Sequence, residues 1–196
     1  MRLPTTKPKK CKATGCGVAF TPRSPMQCVC GPACAQLFAR AKKEQAETKA
    51  RQSERKADRA KRESLKTRSD WIKDAQREFN RFIRTRDAGE LCICCGAHLD
   101  IGTVGGGFDA GHYRSVGSAP HLRFDERNVH GQRKQCNRYG AGRAVDYRIG
   151  LIRRIGQTAV DALESDQAPR HYTTQDLIAI RDKYRELTKQ LMFGHA

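Results

Sequence analysis

The amino-acid sequence predicts an α+β protein built from small modules: an N-terminal zinc knuckle, a long basic helix, and a zinc-stapled ββα element flanked by helices. Three observations support this prediction. The nine cysteines fall in tight groups, residues 35–88 contain neither glycine nor proline, and residues 91–143 are rich in glycine, cysteine, histidine and asparagine. Because only 38% of the 196 residues are hydrophobic, several small modules are expected instead of one large core.

The formal net charge of +17 is the strongest feature of the composition. Such a surface gains most from a polyanion, because lysine and arginine release the counterions that condense on its phosphates. Nucleic acid is therefore the predicted partner. The sequence has no apolar run of about 18 residues and no signal-peptide core, so it predicts a soluble, cytoplasmic protein that does not bind a membrane.

Residues 1–34 are predicted to form the zinc knuckle. Two close pairs of cysteines are the candidate ligands: Cys11, Cys16, Cys30 and Cys34. Four thiolates suit one tetrahedral Zn²⁺, and so short and proline-rich a segment has few other means of ordering itself. Cys28 is an alternative ligand to Cys30. The competing interpretation is a set of unpaired buried thiols.

Residues 35–68 are predicted to be a basic helical linker, because alanine, lysine, arginine, glutamate and glutamine dominate there. Between Arg40 and Arg68, twelve lysines and arginines stand against five acids. The segment has no apolar stripe, so it is interpreted either as a helix that lies along DNA phosphates or as a solvated charged linker. On the first interpretation, four residues are assigned to DNA binding: Lys56, Arg59, Lys61 and Arg62.

An amphipathic helix is predicted after Ser69, which is the expected N-cap, and it ends at Gly89. Apolar side chains recur along it at helical spacing: Trp71, Ile72, Ala75, Phe79, Phe82 and Ile83. Residues 144–196 are also predicted to be helical. One apolar face is expected there at Val145, Ile149, Ile152 and Ile155, followed by a last helix that starts with the capping box Thr173-x-x-Asp176.

Residues 69–143 are predicted to be the domain that carries the chemistry. Three cysteines with metal-ligand spacing suit a second zinc site that staples a thin core: Cys92, Cys95 and Cys136. Between them we expect strands around residues 108–113 and 128–132, followed by a helix from about Lys134. The predicted order is therefore ββα.

Hydrolysis of a phosphodiester needs a base that deprotonates water and a cation that stabilises the developing charge. His112 is the candidate base, because a neutral imidazole suits this task near pH 7. Asp109 and Asn137 are the candidate oxygen ligands of Mg²⁺ or Mn²⁺. Asn128 is expected to hold the His112 backbone through its amide. The structural alternatives are a hydrogen-bonded histidine at His112 and a simple turn residue at Asn128.

Short motifs along nearly the whole chain resemble one family: Phe20-Thr-Pro-Arg-Ser-Pro25, Asp109-Ala-Gly-His-Tyr113, Pro120-His-Leu-Arg-Phe124, Asn128-Val-His-Gly-Gln132 and Cys136-Asn-Arg138. On these residues the sequence is similar to the NinG (Rap) recombination proteins of lambda-like phages. The resemblance implies a structure-directed endonuclease that acts on Holliday junctions and D-loops in the host bacterial cytoplasm. It also implies an HNH-like (ββα-metal, His-Me finger) centre supported by zinc. Arg138 is assigned to DNA binding.

Two positions depart from what the resemblance leads us to expect. Arg133 stands where the family pattern has a cysteine, so the fourth ligand of the second zinc site is expected to be Cys94, His130 or water, and His130 is assigned to it. Gly111 stands directly before the base, where HNH centres have an acid. Asp109 lies two residues earlier, roughly 6.6 Å along the strand, and would need a bulge or a loop to reach the same metal ion.

A different class of function is also open: a zinc-containing DNA-binding or architectural protein without catalysis. His112, Asn128 and Asn137 favour the nuclease, because a mere binding protein does not need them. Two symmetrical nicks in a junction would most simply require two copies, so a homodimer is expected on DNA. His98 and His121 are expected to be surface residues.

Overall fold

The computed structural model describes residues 7–100 and 107–194. The chain divides into two compact units, Met1–Leu65 and Lys66–Ala196. The first unit joins the predicted zinc knuckle to the basic helix, and the second contains both the predicted 69–143 segment and the C-terminal helices. Among the described residues, no helix is both long and apolar enough to cross a lipid bilayer.

The described part of the first unit contains a short hairpin and one long helix. Strand β1 (Lys9–Lys10) pairs antiparallel with β2 (Ala19–Phe20), and helix α1 runs from Pro32 to Ser64. The helix begins with a proline in its first turn, where the missing N–H costs nothing. None of its side chains is buried, as expected for a segment without an apolar stripe.

Helix α2 (Arg68–Arg86) begins two residues earlier than the sequence led us to expect. Its N-cap is Thr67, so the assignment of Ser69 to this role is wrong. The Thr67 side chain accepts a hydrogen bond from the Asp70 N–H, and the Asp70 carboxylate accepts one from the Thr67 N–H. This reciprocal pair needs an acid three residues after the cap, and Ser69 is followed at that spacing by Ile72.

The first core of the second unit lies between α2 and the last helix, α5 (Thr174–Phe193), which starts with the predicted capping box of Thr173 and Asp176. Phe79 is fully buried, and its ring packs edge to face on Tyr184, with 4.7 Å between the centroids. The predicted apolar face of α2 is confirmed, with Ile72 partly buried at its margin. Burial of each large side chain contributes about 1.5–3 kcal/mol to folding, so this face fixes α2 against α5.

Strand β3 (Phe108–His112) pairs antiparallel with β4 (Val129–Arg133), with Gly111 opposite His130. Two short 3₁₀ turns, Pro120–Leu122 and Glu126–Asn128, lie in the connection between the strands. After β4 the chain forms a five-residue π-helical turn, Gln135–Tyr139. The order of two strands and a helical segment agrees with the sequence, but the third element is much shorter than a helix of several turns.

Helices α3 (Ala144–Ile155) and α4 (Gln157–Ser165) form a second core around Tyr147, Leu151 and Val160. The predicted apolar face of α3 is partly wrong, because Val145 is 75% exposed and Ile149 is 46% exposed. The hydroxyl of Tyr147 donates to the Gly111 carbonyl and accepts from the His130 N–H. These two hydrogen bonds hold the Tyr147 face of α3 against β3 and β4, so Val145 and Ile149 are left more exposed.

Candidate functional site

The four cysteines predicted for the zinc knuckle come together. The sulfur atoms of Cys11, Cys16, Cys30 and Cys34 all lie within 4.8 Å of one another. Cys28 is not a member of this cluster, so the first assignment of ligands agrees with the geometry. The cluster can hold a metal ion such as zinc, because four thiolates at this separation match a closed tetrahedral site.

The electrostatics of this knuckle cluster favour a cation at its centre. Burial raises the pKa of Cys11, but hydrogen bonds from the backbone at Ala13 and Cys30 outweigh it and lower the pKa to about 7. The hydrogen bond with Cys30 raises the pKa of Cys34 to about 12. Without a cation, the first thiolate to form therefore hinders ionisation of its neighbour. A divalent ion removes this repulsion, and its binding is accompanied by release of the protons.

The second cysteine cluster contains Cys92, Cys95 and Cys136, whose sulfur atoms also lie within 4.8 Å of one another. Cys92 and Cys136 are buried, whereas Cys95 is exposed. The hydrogen bond with Cys94 lowers the pKa of Cys92 to about 4, and burial raises the pKa of Cys136 to about 11. The backbone N–H of Arg133 donates to the Cys92 sulfur at 3.3 Å. This cluster can also hold a metal ion, with three thiolates.

His130 does not lie in this second cluster, and its assignment as a zinc ligand is corrected. Its Nδ1 lies 3.1 Å from the Arg86 guanidinium and 3.8 Å from the Asp87 carboxylate, and its Nε2 donates to the Arg127 carbonyl. Burial lowers the pKa of His130 to about 4, so the ring is neutral near pH 7. Both nitrogens are used in a buried polar network, where an unpaired donor or acceptor would be costly.

His112 lies at the end of β3 and is partly buried. Its Nε2 lies 3.0 Å from the Arg123 carbonyl, which can only accept, so Nε2 carries the proton and Nδ1 the lone pair. Among the described residues, Nδ1 has no hydrogen-bond partner and is not enclosed. Burial lowers the pKa of His112 below its ordinary value, so the ring is neutral at pH 7. His112 is therefore a fixed imidazole with an available basic nitrogen.

Asn128 is fully buried and joins the chain after His112 to the segment before β4. Its Oδ1 accepts from the Arg114 N–H at 2.8 Å, and its Nδ2 donates to the carbonyls of Arg114 and Leu122. The Tyr113 N–H donates to the Asn128 carbonyl. These bonds extend the pairing of β3 and β4 beyond His112 and hold its backbone in place.

The side chains of Asp109 and Asn137 are in contact, but the Asp109 carboxylate also forms an ion pair with Arg138. The Asn137 amide donates to Asp109 Oδ2 at 3.0 Å, and the Arg138 guanidinium donates to both carboxylate oxygens at 2.8 and 2.9 Å. Burial raises the pKa of Asp109, but these hydrogen bonds outweigh it and lower the pKa below its ordinary value. Arg138, assigned to DNA, is thus the ion-pair partner of the predicted metal ligand.

These oxygen ligands do not lie beside His112. Side chains alternate along a strand, so Asp109 and Gly111 share one face of β3 and His112 lies on the other. A Cβ at position 111 would overlap the side-chain oxygen of Gln132, which is fully buried over this glycine. An acid directly before His112 therefore does not fit, and the residues present do not fit a catalytic Mg²⁺ beside this base.

A basic cavity of about 360 Å³ is linked to His112 through Arg123, and sequence reasoning missed it. Five basic residues line it, and no acidic residue within 7–100 and 107–194 does: Arg68, His121, Arg123, Arg170 and His171. The Arg123 carbonyl accepts from His112, while the Arg123 side chain lines the cavity. No local pattern could have grouped residues so far apart in sequence. His121 is 7% exposed, so its assignment to the surface is wrong.

Two of the positive charges in this cavity are not neutralised. Arg123 donates to the side-chain oxygen of Gln76, and Arg68 donates to the Tyr172 carbonyl. Both partners are uncharged, and neither guanidinium has a carboxylate partner within the described residues. Arg170 is instead paired with Asp166. The cavity therefore attracts an anion such as phosphate.

The fold and the two cysteine clusters define a strongly basic α+β protein with two candidate zinc sites. Residues 4–193 match the family model described as "Bacteriophage Lambda NinG protein". The chain belongs to the NinG family.

Individual relatives agree with this family assignment. The chain is 45% identical over 194 residues to "Protein ninG" of Salmonella phage P22 and 44% identical over 194 residues to that of Escherichia phage lambda. Each alignment covers 93% of this chain and 93% of the relative. "Protein ninG" of Escherichia phage 933W is 47% identical over 128 residues, which cover 65% of this chain and 61% of the relative. No solved structure matches the chain.

Proposed function

We propose that this protein is an endonuclease that hydrolyses phosphodiesters in branched DNA, with His112 as the general base. The observation that carries the proposal is a neutral, oriented imidazole bonded to the carbonyl of Arg123, a residue that also lines a basic cavity. In this cavity neither Arg68 nor Arg123 has an acidic partner within the described residues. A general base and a site that binds the phosphate are two of the groups that phosphodiester hydrolysis uses, and Arg123 links the two here. The preference for Holliday junctions and D-loops comes from the resemblance of the sequence motifs to the NinG family.

In the proposed reaction, the Nδ1 atom of His112 accepts a proton from the attacking water, and the Arg123 carbonyl keeps the ring in the required tautomer. Arg68 and Arg123 hold the phosphate and offset the charge that develops on its oxygens. Asn128 keeps the His112 backbone in position. The family resemblance also implies Mg²⁺ or Mn²⁺, but Asp109 and Asn137 do not lie beside His112, so no step is assigned to that cation.

A direct cleavage assay tests this function. The purified protein is incubated with end-labelled four-way junctions, flaps and plain duplex of the same sequence, with Mg²⁺, with Mn²⁺ and without added cation. We expect nicks near the branch point and few or none in plain duplex. Tight binding to junctions without a nick under any condition would contradict the nuclease.

The second candidate is a non-catalytic, zinc-containing protein that binds branched DNA. The ion pair between Asp109 and Arg138 favours it, because this carboxylate is neutralised and is not offered to a cation beside His112. The cleavage assay separates the two functions, since both predict binding and only the nuclease predicts nicks.

The basic helix α1 is expected to supply affinity for DNA of any sequence. Replacing Lys56, Arg59, Lys61 and Arg62 with alanine should weaken binding to junctions and duplex alike, because contacts to phosphate carry little base information. If all four residues contact phosphates, the slope of log K against log salt should fall by about 0.9 per residue. Fluorescence anisotropy over a salt series measures this slope. Gln45→Ala with Gln52→Ala on the same helix is the neutral control, and an unchanged slope in the fourfold variant would exclude these contacts.

A dimer is expected on a four-way junction, because two symmetrical nicks are most simply made by two copies related by the two-fold axis of the DNA. Sedimentation velocity with a fluorescent junction gives the number of chains in the complex. Two chains per cleaved junction would support the dimer. One chain that makes both nicks in one encounter would refute it.

A further inference from the structure

The second cysteine cluster has three ligand sulfurs where a closed zinc site needs four. Cys92, Cys95 and Cys136 are its only members among the described cysteine, histidine and acidic side chains. Structural zinc sites are almost always four-coordinate, whereas a site with three protein ligands leaves one position for a molecule from outside.

The two side chains considered as a fourth ligand, Cys94 and His130, form hydrogen bonds with other residues. The sulfur of Cys94 accepts a hydrogen bond from the Gln132 amide at 2.9 Å and lies outside the cluster. Both ring nitrogens of His130 are held by Arg86 and the Arg127 carbonyl. Recruiting His130 would break buried hydrogen bonds and leave a polar group without a partner. Cys94 is excluded by distance, because its sulfur is not within 4.8 Å of all three cluster sulfurs.

One side of the cluster is open to solvent. Cys95 and Cys136 line a cavity of about 460 Å³ that also contacts Arg133, Tyr139 and Arg143. Cys95, Arg133 and Tyr139 are all exposed. The Arg133 N–H donates to the Cys92 sulfur, so the backbone of residue 133 is in contact with one of the three ligand sulfurs. A cysteine at this position could have closed the site, but the arginine side chain lies in the cavity wall.

The charges around this cavity favour an anion. A zinc ion with three thiolates carries one net negative charge, and two arginines face it. Arg143 lines the cavity together with Cys136 and also pairs with Asp146, while Arg133 lines the open side. These cations reduce the repulsion that a fourth, anionic ligand would otherwise meet.

We propose that the second cluster binds zinc through three protein thiolates and leaves the fourth position to an exchangeable external ligand, which is water at rest and a small-molecule thiolate when one is present. The exchange releases the water, forms a zinc–sulfur bond and sends the thiol proton to solvent, with no change in oxidation state. A soft thiolate suits this position because the other ligands are also thiolates. The proposal is independent of the nuclease, since it concerns metal binding alone.

Cobalt substitution tests the ligand set without any measurement of activity. The full-length protein is loaded with Co²⁺ at both clusters, and the sulfur-to-cobalt charge-transfer band is recorded during titration with 2-mercaptoethanol. The knuckle supplies four sulfurs and the second cluster three. Saturation of the open position should therefore raise the band by about one-seventh, since cobalt–sulfur bonds increase from seven to eight.

Two variants act as controls. Arg133→Cys should show the higher band without added thiol, should not respond to the titration, and should release zinc to a chelator more slowly than the unaltered protein. Arg133→Ala keeps the position open and should reach the same final band height, but at a higher thiol concentration because one of the two nearby cations is lost. This variant gives a result even if the cysteine variant does not fold. A band that does not respond to thiol in the unaltered protein and in Arg133→Ala would overturn the proposal.

Discussion

Replacing His112 with alanine is expected to reduce cleavage of a four-way junction by about 10²- to 10⁴-fold, the usual cost of losing a general base. Binding of the junction should change little, because affinity is expected from the basic surface and not from this neutral imidazole. Single-turnover cleavage rates and anisotropy on the same junction separate the two effects.

His98→Ala is the matched control for this experiment, because His98 is exposed and has no place in the proposed site. It should cleave like the unaltered protein. If His112→Ala also cleaves normally, His112 is not the base, and the function has to be assigned to another residue or to DNA binding alone. If both histidine variants lose cleavage and unfold together, the loss in His112→Ala is structural.

The pH dependence of cleavage gives a second measure of the same role. Nδ1 can accept a proton only when the imidazole is neutral, and burial lowers the pKa of His112 below 6.5. Cleavage should therefore rise with pH in the acidic range and level off before pH 7. A rate profile measured between about pH 5 and pH 8 tests this sign. A rate that rises only above pH 7 would exclude His112 as the titrating base.

Removal of the knuckle zinc is expected to have the second large effect. In the described part of the first unit, the buried side chains are only the small ones of Cys11, Ala13 and Pro22, so metal binding has to supply most of the folding energy of the hairpin. Cys16→Ser should lose one zinc per chain and unfold β1 and β2. Metal analysis after dialysis and amide hydrogen exchange of residues 7–31 measure the two losses.

Cys28→Ser provides the internal comparison, because Cys28 lies in the same segment but outside the cluster. It should keep its zinc and its protected hairpin amides. Retention of zinc by Cys30→Ser together with loss by Cys28→Ser would show that the two cysteines exchange roles. Folded protein without zinc at the knuckle would contradict a structural metal there.

The hydrolytic part of the sequence-based hypothesis depends on residues that the fold separates. Asp109 and Asn137 contact each other and Arg138, whereas His112 is bonded to the carbonyl of Arg123, which lines the basic cavity. Asp109, to which Asn137 is hydrogen-bonded, therefore lies on the opposite face of β3 from the base. A phosphate in the cavity would be held by arginines, which is why the proposed function depends on Arg68 and Arg123.

The sequence by itself determined the features that arise from neighbouring residues. Cysteines four or five positions apart predicted the knuckle cluster, and it forms as expected. Apolar side chains at helical spacing predicted the buried face of α2, and Thr173-x-x-Asp176 predicted the start of α5. These features can be predicted from sequence because the interacting groups lie within one or two turns of each other, where backbone geometry alone fixes the distance between them.

Only the tertiary structure decided which distant residues meet. The basic cavity combines Arg68, Arg123 and Arg170, which are about fifty residues apart along the chain. His130 has a spacing compatible with a zinc ligand, yet the strand pairing places it against Arg86 and the Arg127 carbonyl. Such contacts depend on strand register and helix packing, which are set by burial of whole faces. The local sequence therefore identifies candidate site residues, while the packing of α2, β3 and β4 determines which of these residues contact one another.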